Sequence, residues 1–388
     1  MALNVVSSDR LSTNVKSSNL ATGLSGKVGS SKNLIINGAM NVAQRGTTST
    51  GTDAYETVDR FACTFTGTDE TPTQAQHALT SSDTGPWAKG FRNSLHLTNG
   101  NQTGGAGAAD RILVAQYIEA QNIANSGWDY TSASSKITLS FWVKSSVAQN
   151  FYGYIFSSDG TQQTYPIETG SLSADTWTKI TKTIPGNSNI TVDNNTGSGL
   201  SIYIIPFMGT DYTATPTLNT WAAYASGTRT PDNTSTWYTT NNSTFEITGV
   251  QLEVGDTATE FEHREYGDEL QRCQRYYTLI SKTSGGQDGA GGNQIALGYC
   301  ESSSTLIGAL TLPVTMRAQP SLDYVSGSSY YRFTHGSTNI DVTSLVVSGN
   351  NNFSFGFAAT GMSGGTAGAA GRWKINNSSG HLAASAEL

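Results

Sequence analysis

The stretch that most constrains the fold is residues 245–277, where the sequence pattern changes from that of a strand to that of a helix. Phe245 and Ile247 alternate with polar residues, as in a strand that buries one face. After Gly249 the apolar positions shift by one residue and continue from Val250. A one-residue shift at a glycine is typical of a β-bulge. The pattern therefore predicts a strand with a bulge at Gly249.

The segment after this strand predicts a change of structure. Gly255 and Asp256 form a turn signal, and a charged run follows from residue 260 to residue 269. Residues 266–277 then have helical apolar spacing. We interpret residues 245–277 as the last strand of one β domain and a short helical connector to a second.

The rest of the composition favours strands over helices. Charged residues make up only 13% of the 388-residue chain, while 42 glycines stand among many Ser, Thr and Asn residues. Such a mixture gives short strands and polar turns. Residues 137–144 alternate most clearly, and residues 151–156 and 202–207 are apolar at almost every position, as in central strands covered on both faces. The fold class predicted is all-β: a jelly-roll β-sandwich, a short helical connector and a second, smaller β domain.

Four segments follow from this pattern. Residues 1–32 are polar and cannot form a core, so they should become ordered only against a partner. Residues 33–262 hold the jelly roll and residues 263–284 the connector. Residues 285–388 form the second β domain, which begins with a Gly-rich loop and carries an exposed tip at residues 363–371.

Charge and cysteine content exclude several classes of function. The net charge is -7 and no basic stripe is present, so nucleic-acid binding is not expected. No segment is long and apolar enough to insert into a membrane. Cys63, Cys273 and Cys300 lie far apart, and we expect reduced thiols.

No catalytic motif emerges from the sequence, so we expect a protein that is not an enzyme and needs no cofactor or metal. The five histidines lack metal-binding spacing. The carboxylates of the connector should form a mutually paired surface; they are Glu260, Glu262, Glu265, Asp268 and Glu269. Asp59 and Arg60 lie between apolar residues and predict a structural ion pair or hydrogen-bond network. Calcium held by Asp59 or Glu253 is an alternative that the sequence leaves open.

Aromatic residues are the best candidates for ligand contacts. Rings beside amides and hydroxyls suit sugars, because a ring covers the apolar face of the sugar while polar groups meet its hydroxyls. The candidates in the loop region of the sandwich are Trp221, Tyr224, Trp237 and Tyr238. Those in the second β domain, expected at its surface, are Tyr330, Tyr331 and Trp373. The alternative is that the rings pack into cores or against a neighbouring subunit.

Several motifs, taken together, resemble tail-fibre and receptor-binding proteins of tailed bacteriophages. They are NLIINGAMNVAQRG at residues 33–46, YETVDRF at 55–61, ITLSFWVKSS at 137–146 and the junction GVQLEVGDTATEFEHREYGDELQRCQRYY at 249–277. The resemblance covers roughly residues 33 to 277, with a weaker one in LPVTMRAQPSL and the closing AASAEL. It identifies neither a chemistry nor a receptor.

This resemblance implies a structural component of the virion tail, made in the host bacterial cytoplasm, which mediates adsorption to the host surface. The implied partners are two further copies of the chain in a homotrimer, other tail proteins that bind residues 1–32, and a host cell-surface glycan or protein. The connector helix is the candidate for the trimer axis. The alternatives are a tailspike that depolymerises glycan and a fibre that decorates the capsid.

Overall fold

The computed structural model describes residues 32–51, 54–283, 293–377 and 379–388. The predicted segment 1–32 therefore lies outside the described residues except for Lys32, as does most of the predicted Gly-rich loop. The described residues form an all-β protein, as predicted. The strands of its first part are β1 (Thr48–Thr50), β2 (Ala62–Thr66), β3 (Thr73–Ala78), β4 (Asn93–Thr98), β5 (Arg111–Glu119), β6 (Lys136–Ser145), β7 (Asn150–Ser157), β8 (Gln163–Ser171), β9 (Thr178–Pro185), β10 (Ser198–Met208), β11 (Thr213–Ala214), β12 (Ala222–Ala223), β13 (Thr230–Pro231) and β14 (Thr244–Val254).

Two antiparallel sheets make the predicted sandwich. Among the described residues, the first sheet has the order β1-β3-β4-β14-β6-β9 and the second the order β12-β8-β7-β10-β5-β2. Their inner faces share one hydrophobic core, to which Val114, Val143, Ile155, Ile202 and Leu252 belong. The pair β11 and β13 is parallel and lies in the loop region after β10.

Strand β14 contains the predicted bulge. Its register against β6 shifts between Thr248 and Gln251, and Gly249 has a φ of 64°. Phe245 and Val250 both face the shared core, although they differ in alternation phase. The bulge is what allows both apolar sets of this strand to face the same core.

Within the described parts of the chain, three short helices interrupt the strands, besides a 3-10 turn at Trp87–Lys89. Helix α1 spans Ala120–Ala124, α2 spans Thr236–Thr239 and α3 spans Tyr266–Gln274. The Glu265 side chain caps α3 by accepting hydrogen bonds from the backbone N–H groups of Gly267 and Asp268. The prediction that this helix extends to residue 277 is wrong, because Tyr277 already pairs with Ser385 in a strand.

The second part of the chain forms two sheets. Its strands are β15 (Tyr277–Lys282), β16 (Gln294–Cys300), β17 (Leu306–Thr311), β18 (Ser321–Tyr324), β19 (Tyr331–His335), β20 (Thr338–Val342), β21 (Val346–Val347), β22 (Ser354–Ala359), β23 (Ala370–Ile375) and β24 (His381–Ser385). Within the described ranges, one sheet has the order β15-β24-β18 and the other β20-β19-β23-β16-β17-β22-β21. Residues 343–345 leave the large sheet between β20 and β21. The residues before β23 form the predicted tip and are mostly exposed.

The three cysteines are buried, unbridged thiols, as predicted. Burial in apolar surroundings raises the pKa of the Cys63 thiol, which therefore stays protonated. None of the helices in residues 32–51, 54–283, 293–377 and 379–388 is long and apolar enough to span a membrane.

The two parts of the chain meet in a polar junction. The guanidinium of Arg275 is paired with Glu119 at 2.7 Å, and the Tyr276 hydroxyl donates to the same carboxylate at 2.6 Å. From the second part, Arg317 donates to the backbone carbonyl of Thr196 at 2.9 Å. The helix α3 and the start of β15 are thus tied to the sandwich by charged hydrogen bonds.

Candidate functional site

An aromatic cluster covers the outer face of the second sheet. Tyr117 on β5, Tyr203 on β10 and Tyr154 on β7 point away from the shared core and meet across adjacent strands. Tyr154 stacks on Tyr203 with ring centroids 4.5 Å apart, and Tyr117 meets Tyr203 edge-on at 6.0 Å. The cluster exists because these strands place rings at alternate positions, whose side chains point to one face.

The loops that follow β10 add rings and positive charge to this cluster. Tyr224 packs edge-on against Phe156 of β7 at 5.0 Å. The guanidinium of Arg229 lies 4.9 Å from the ring centroid of Tyr212, and that of Arg111 lies 5.1 Å from the same ring. Two cations thus flank one aromatic ring, a geometry that holds both guanidinium groups beside the cluster.

These residues enclose a surface cavity of about 180 Å³. Its lining consists of Thr64, Arg111, Leu113, Tyr117, Tyr154, Phe156, Tyr203, Tyr224 and Arg229. Burial raises the pKa of Tyr154 and of Tyr203 above the usual value for a tyrosine. Both hydroxyls therefore remain protonated and able to donate hydrogen bonds at neutral pH. No carboxylate is in the lining, and among the described residues neither arginine has a carboxylate within ion-pair distance.

The cavity combines two kinds of contact that a sugar requires. Half-buried rings offer apolar faces, and tyrosine hydroxyls and guanidinium groups offer hydrogen-bond donors at their edges. Two positive charges with no paired carboxylate also favour a ligand that carries a negative charge.

Only one aromatic residue of the loop region predicted from the sequence lines this cavity, namely Tyr224. Trp221 is buried and donates its Nε1–H to the carbonyl of Pro185 at 2.7 Å. The Trp237 Nε1–H donates to the Thr244 carbonyl at 2.9 Å, and Tyr238 stacks on Phe207 at 4.2 Å. The expectation of exposed rings is wrong for Trp221, Trp237 and Tyr238, because the loop folds back and buries them in the sandwich core.

The candidates in the second part of the chain are also mostly buried. Trp373 and Tyr331 are fully buried, and Trp373 packs between Phe333 and Phe357. The expectation that they lie at the surface is wrong, since the inner face of the large sheet needs rings of this size to fill its core. Tyr330 is partly buried and packs against the same core.

Sequence reasoning missed the rings that form the cavity. The hydrophobic runs of β7 and β10 indicated central strands covered on both faces. That interpretation predicts no exposed side chains on these strands. The available signal was a single tyrosine among aliphatic residues, as with Tyr203 between Ile202 and Ile204. A phenol in such a strand brings one polar group to the face that it occupies.

The connector carboxylates are held by nearby cations and backbone groups. Glu262 pairs with Arg264 at 3.0 Å, Glu269 pairs with the same arginine at 3.3 Å, and Glu260 pairs with Lys89 at 3.2 Å. The paired arrangement agrees with the prediction, but Glu269 is buried and not at the surface, because it also accepts from the backbone N–H of Asn37 at 2.6 Å.

Asp59 and Glu253, the two carboxylates considered as calcium ligands, both accept hydrogen bonds from nearby donors. Asp59 accepts from the backbone N–H of Gln44 at 2.9 Å, and Glu253 accepts from the Thr259 N–H at 2.8 Å and the Thr259 hydroxyl at 2.7 Å. Burial raises the pKa of Asp59 to about 6. Calcium requires six to eight oxygen ligands. Here hydrogen-bond donors lie 2.7–2.9 Å from the carboxylate oxygens, in the positions that a calcium ion would need.

A second cavity of about 310 Å³ lies at the junction between the two parts of the chain. Arg45 stacks over the Tyr277 ring at 3.4 Å, and His381 is 3.1 Å from Asp323 in this region. Burial opposes ionisation of Asp323, but the contacts with His381, Tyr277 and Arg45 together outweigh it and lower the pKa of the carboxyl. Asp323 is therefore held ionised, which is not the state that a general acid needs.

Comparison with solved structures gives partial similarities to all-β domains. A tailspike protein 4 from bacteriophage CBA120, described as its enzymatically active domain, matches 57% of this chain at 12% identity with a TM-score of 0.30. An N-terminal cellulose-binding domain of a Cellulomonas fimi β-1,4-glucanase matches 56% at 11% identity and 0.27. A xylan-binding domain from Paenibacillus barcinonensis matches 54% at 11% identity and 0.25.

These matches cover very different shares of the other chains: 21% of the tailspike protein, 99% of the cellulose-binding domain and 94% of the xylan-binding domain. No protein-family model and no curated protein matches the sequence. Similarity at this level identifies neither a family nor a ligand, so a ligand has to be inferred from the chain's own residues.

Proposed function

We propose that the protein is a non-enzymatic adhesin that binds an acidic glycan through the aromatic cavity on the second sheet. The observation that carries this proposal is the combination of stacked tyrosine rings with Arg111 and Arg229 in one surface depression. The rings cover the apolar face of a sugar, and the guanidinium groups bind a carboxylate or phosphate substituent.

The setting we propose is the tail of a bacteriophage, assembled in the host bacterial cytoplasm. This part of the proposal is supported by the motifs at residues 33–46, 55–61, 137–146 and 249–277, which resemble phage tail fibres. Residues 1–32 attach the fibre to the particle, and the β domains bind the host surface. Deletion of these residues then leaves a folded protein that no longer joins the virion.

A glycan depolymerase is the alternative activity. Glu262 and Glu269 of the connector are paired with Arg264, and Glu260 is paired with Lys89. The ionised Asp323 lacks the raised pKa of a catalytic acid. Both observations favour binding without cleavage. Release of soluble reducing sugar from host envelopes by the purified protein would overturn the non-enzymatic proposal.

The test of the binding proposal uses the full chain and purified host-surface polysaccharide. Tyr224→Ala and Arg229→Gln remove one ring and one charge from the rim of the cavity. We expect each to weaken binding about ten-fold or more, since stacking and charge-assisted hydrogen bonds each contribute about 1–3 kcal/mol. Phe353→Ala, which removes an exposed aromatic ring just before β22, is the matched control and should bind like the wild type.

A further inference from the structure

Three side chains of metal-binding type meet on the outer face of the first sheet, on the opposite side of the sandwich from the aromatic cavity. His77 is on β3, His96 on β4 and Glu246 on β14, three strands that are consecutive in the sheet. His96 is directly opposite Glu246 in the register, and His77 is opposite Ser94. The strands therefore deliver the three side chains to one face.

The distances between the donor atoms suit a small divalent ion. His77 Nδ1 lies 3.2 Å from Glu246 Oε2, and His96 Nδ1 lies 3.3 Å from Glu246 Oε1. One ligand atom from each residue lies within 4.8 Å of the others. An ion about 2.0–2.2 Å from each tetrahedral ligand holds neighbouring ligand atoms about 3.3–3.6 Å apart. Each histidine nitrogen lies close to this spacing from one of the two oxygens of Glu246.

One of these donor atoms has no hydrogen-bond partner among the residues that the structure describes. His96 Nδ1 is buried and makes no hydrogen bond, whereas His96 Nε2 lies 3.1 Å from the Thr98 hydroxyl. In the tautomer that carries its proton on Nε2, which then donates to the Thr98 hydroxyl, the lone pair of Nδ1 faces Glu246 and can ligate a metal ion. The Thr98 contact also orients the ring, as outer partners of metal-bound histidines do.

The surrounding charges are compatible with a cation. Glu246 accepts from the Ser94 hydroxyl at 2.7 Å and from the Lys144 ammonium at 2.9 Å, and that ammonium is shared with Asp83 at 3.1 Å. Trp177 Nε1–H donates to Asp83 at 3.0 Å. Two carboxylates and one ammonium leave one net negative charge beside the two imidazoles.

We propose that His77, His96 and Glu246 form a binding site for a divalent metal ion of the zinc class. Two imidazole nitrogens and one carboxylate oxygen are ligands that Zn²⁺, Co²⁺ and Ni²⁺ accept, whereas Ca²⁺ and Mg²⁺ prefer oxygen alone. The His77 side chain is 48% exposed, so water completes the coordination from the solvent side. The bound ion links β3, β4 and β14 and stabilises this half of the sandwich.

The experiment uses the full chain after dialysis against a chelator. Zn²⁺ binding is measured by calorimetry, and Co²⁺ binding by its visible absorption, which reports nitrogen ligation and low coordination number. We expect one site per chain, and binding at least ten-fold weaker in His77→Ala, whose half-exposed side chain should not be needed for folding. His381→Ala changes a histidine in the second part of the chain and should bind metal like the wild type.

A thermal melt gives a readout that does not depend on titration. Zn²⁺ should raise the Tm of the wild type and of His381→Ala, because an ion that binds only the folded state stabilises it, and it should not raise the Tm of His77→Ala. Absence of Zn²⁺ and Co²⁺ binding in the wild type would overturn the proposal. Binding that is unchanged in both His77→Ala and Glu246→Gln would overturn it as well. Neither result bears on glycan binding at the opposite face.

Discussion

The guanidinium of Arg60 pairs with the carboxylate of Glu387, the penultimate residue of the chain. Arg60 is 1% exposed, stacks 3.5 Å above the Tyr276 ring and donates to the Tyr117 carbonyl at 2.7 Å. Arg45 reaches the same carboxylate at 3.3 Å. A residue from the first part of the chain thus fixes the C-terminal end, and the two parts are joined by a buried ion pair.

Breaking this pair should destabilise the whole protein. In Glu387→Gln the Arg60 charge stays buried without a counter-charge, and we expect a loss of about 3–5 kcal/mol in the free energy of unfolding. Denaturant unfolding of the full chain measures it. Arg332→Ala, which breaks the more exposed pair with Asp341, is the control and should cost less than about 1 kcal/mol. Equal, small effects in both variants would contradict the role given to the junction.

The bulge in β14 should be sensitive to a single methyl group. Gly249 has a φ of +64°, and a Cβ there would lie 2.6 Å from Cζ of Phe91. We expect Gly249→Ala to lower the free energy of unfolding by about 2–4 kcal/mol, from backbone strain and from the clash together. Gly105→Ala has a similar φ of +81° and open space around it, so it reports the strain alone. A Gly249→Ala protein no less stable than Gly105→Ala would show that the bulge tolerates a side chain.

The Glu246 cluster predicts a pH dependence of stability. Burial opposes ionisation of Glu246, but its contacts with His96, Lys144 and Ser94 outweigh it and hold its pKa well below the usual value of 4.5. A lowered pKa in the folded state gives stability that is present above pH 4.5 and is lost as the pH falls. Glu246→Gln should therefore cost about 2 kcal/mol at neutral pH and progressively less below pH 4.5. Melts over this range with a chelator present measure it; a cost that does not change with pH would contradict it.

We predict that the homotrimer implied by the phage resemblance forms through the large sheet of the second part of the chain. Leu297 is 75% exposed, and Tyr299 lies on the same face of β16. Exposed apolar groups of this size gain stability when a copy covers them. We expect light scattering to give three times the chain mass, and Leu297→Lys to reduce it to that of one chain. Tyr266→Lys tests the connector helix instead. If this variant alone dissociates, the three-fold axis lies at the connector helix. A monomeric wild type would contradict the trimer.

The sequence predicts the sandwich because its strands alternate strictly. Residues 137–144 and the phase shift at Gly249 determine which side chains face the core, and the structure confirms both. The junction could not be predicted, since the contacts of Arg60 with Glu387 and of Arg275 with Glu119 join residues far apart in the sequence. Local periodicity carries no information on such pairs.

The candidate site shows the same division between local and non-local information. Trp237 and Trp373 have polar neighbours in the sequence, a pattern that is also typical of a sugar-binding surface. In the structure both side chains are buried in hydrophobic cores. Tyr203 lies in an aliphatic run and faces outward. Which rings stay accessible is decided by how the loop after β10 folds back over the strands. The same applies to His77 and Glu246, whose proximity depends on strand order.

The central claim is glycan binding at the aromatic face, and competition for host-surface polysaccharide tests it most directly. Wild type, Tyr224→Ala and Trp237→Phe are compared at equal concentrations of folded protein. We predict that Tyr224→Ala loses at least ten-fold in affinity, while Trp237→Phe is less stable but binds like the wild type, because Trp237 belongs to the core. Binding that persists in Tyr224→Ala and Arg229→Gln but is lost in Trp237→Phe would contradict the claim.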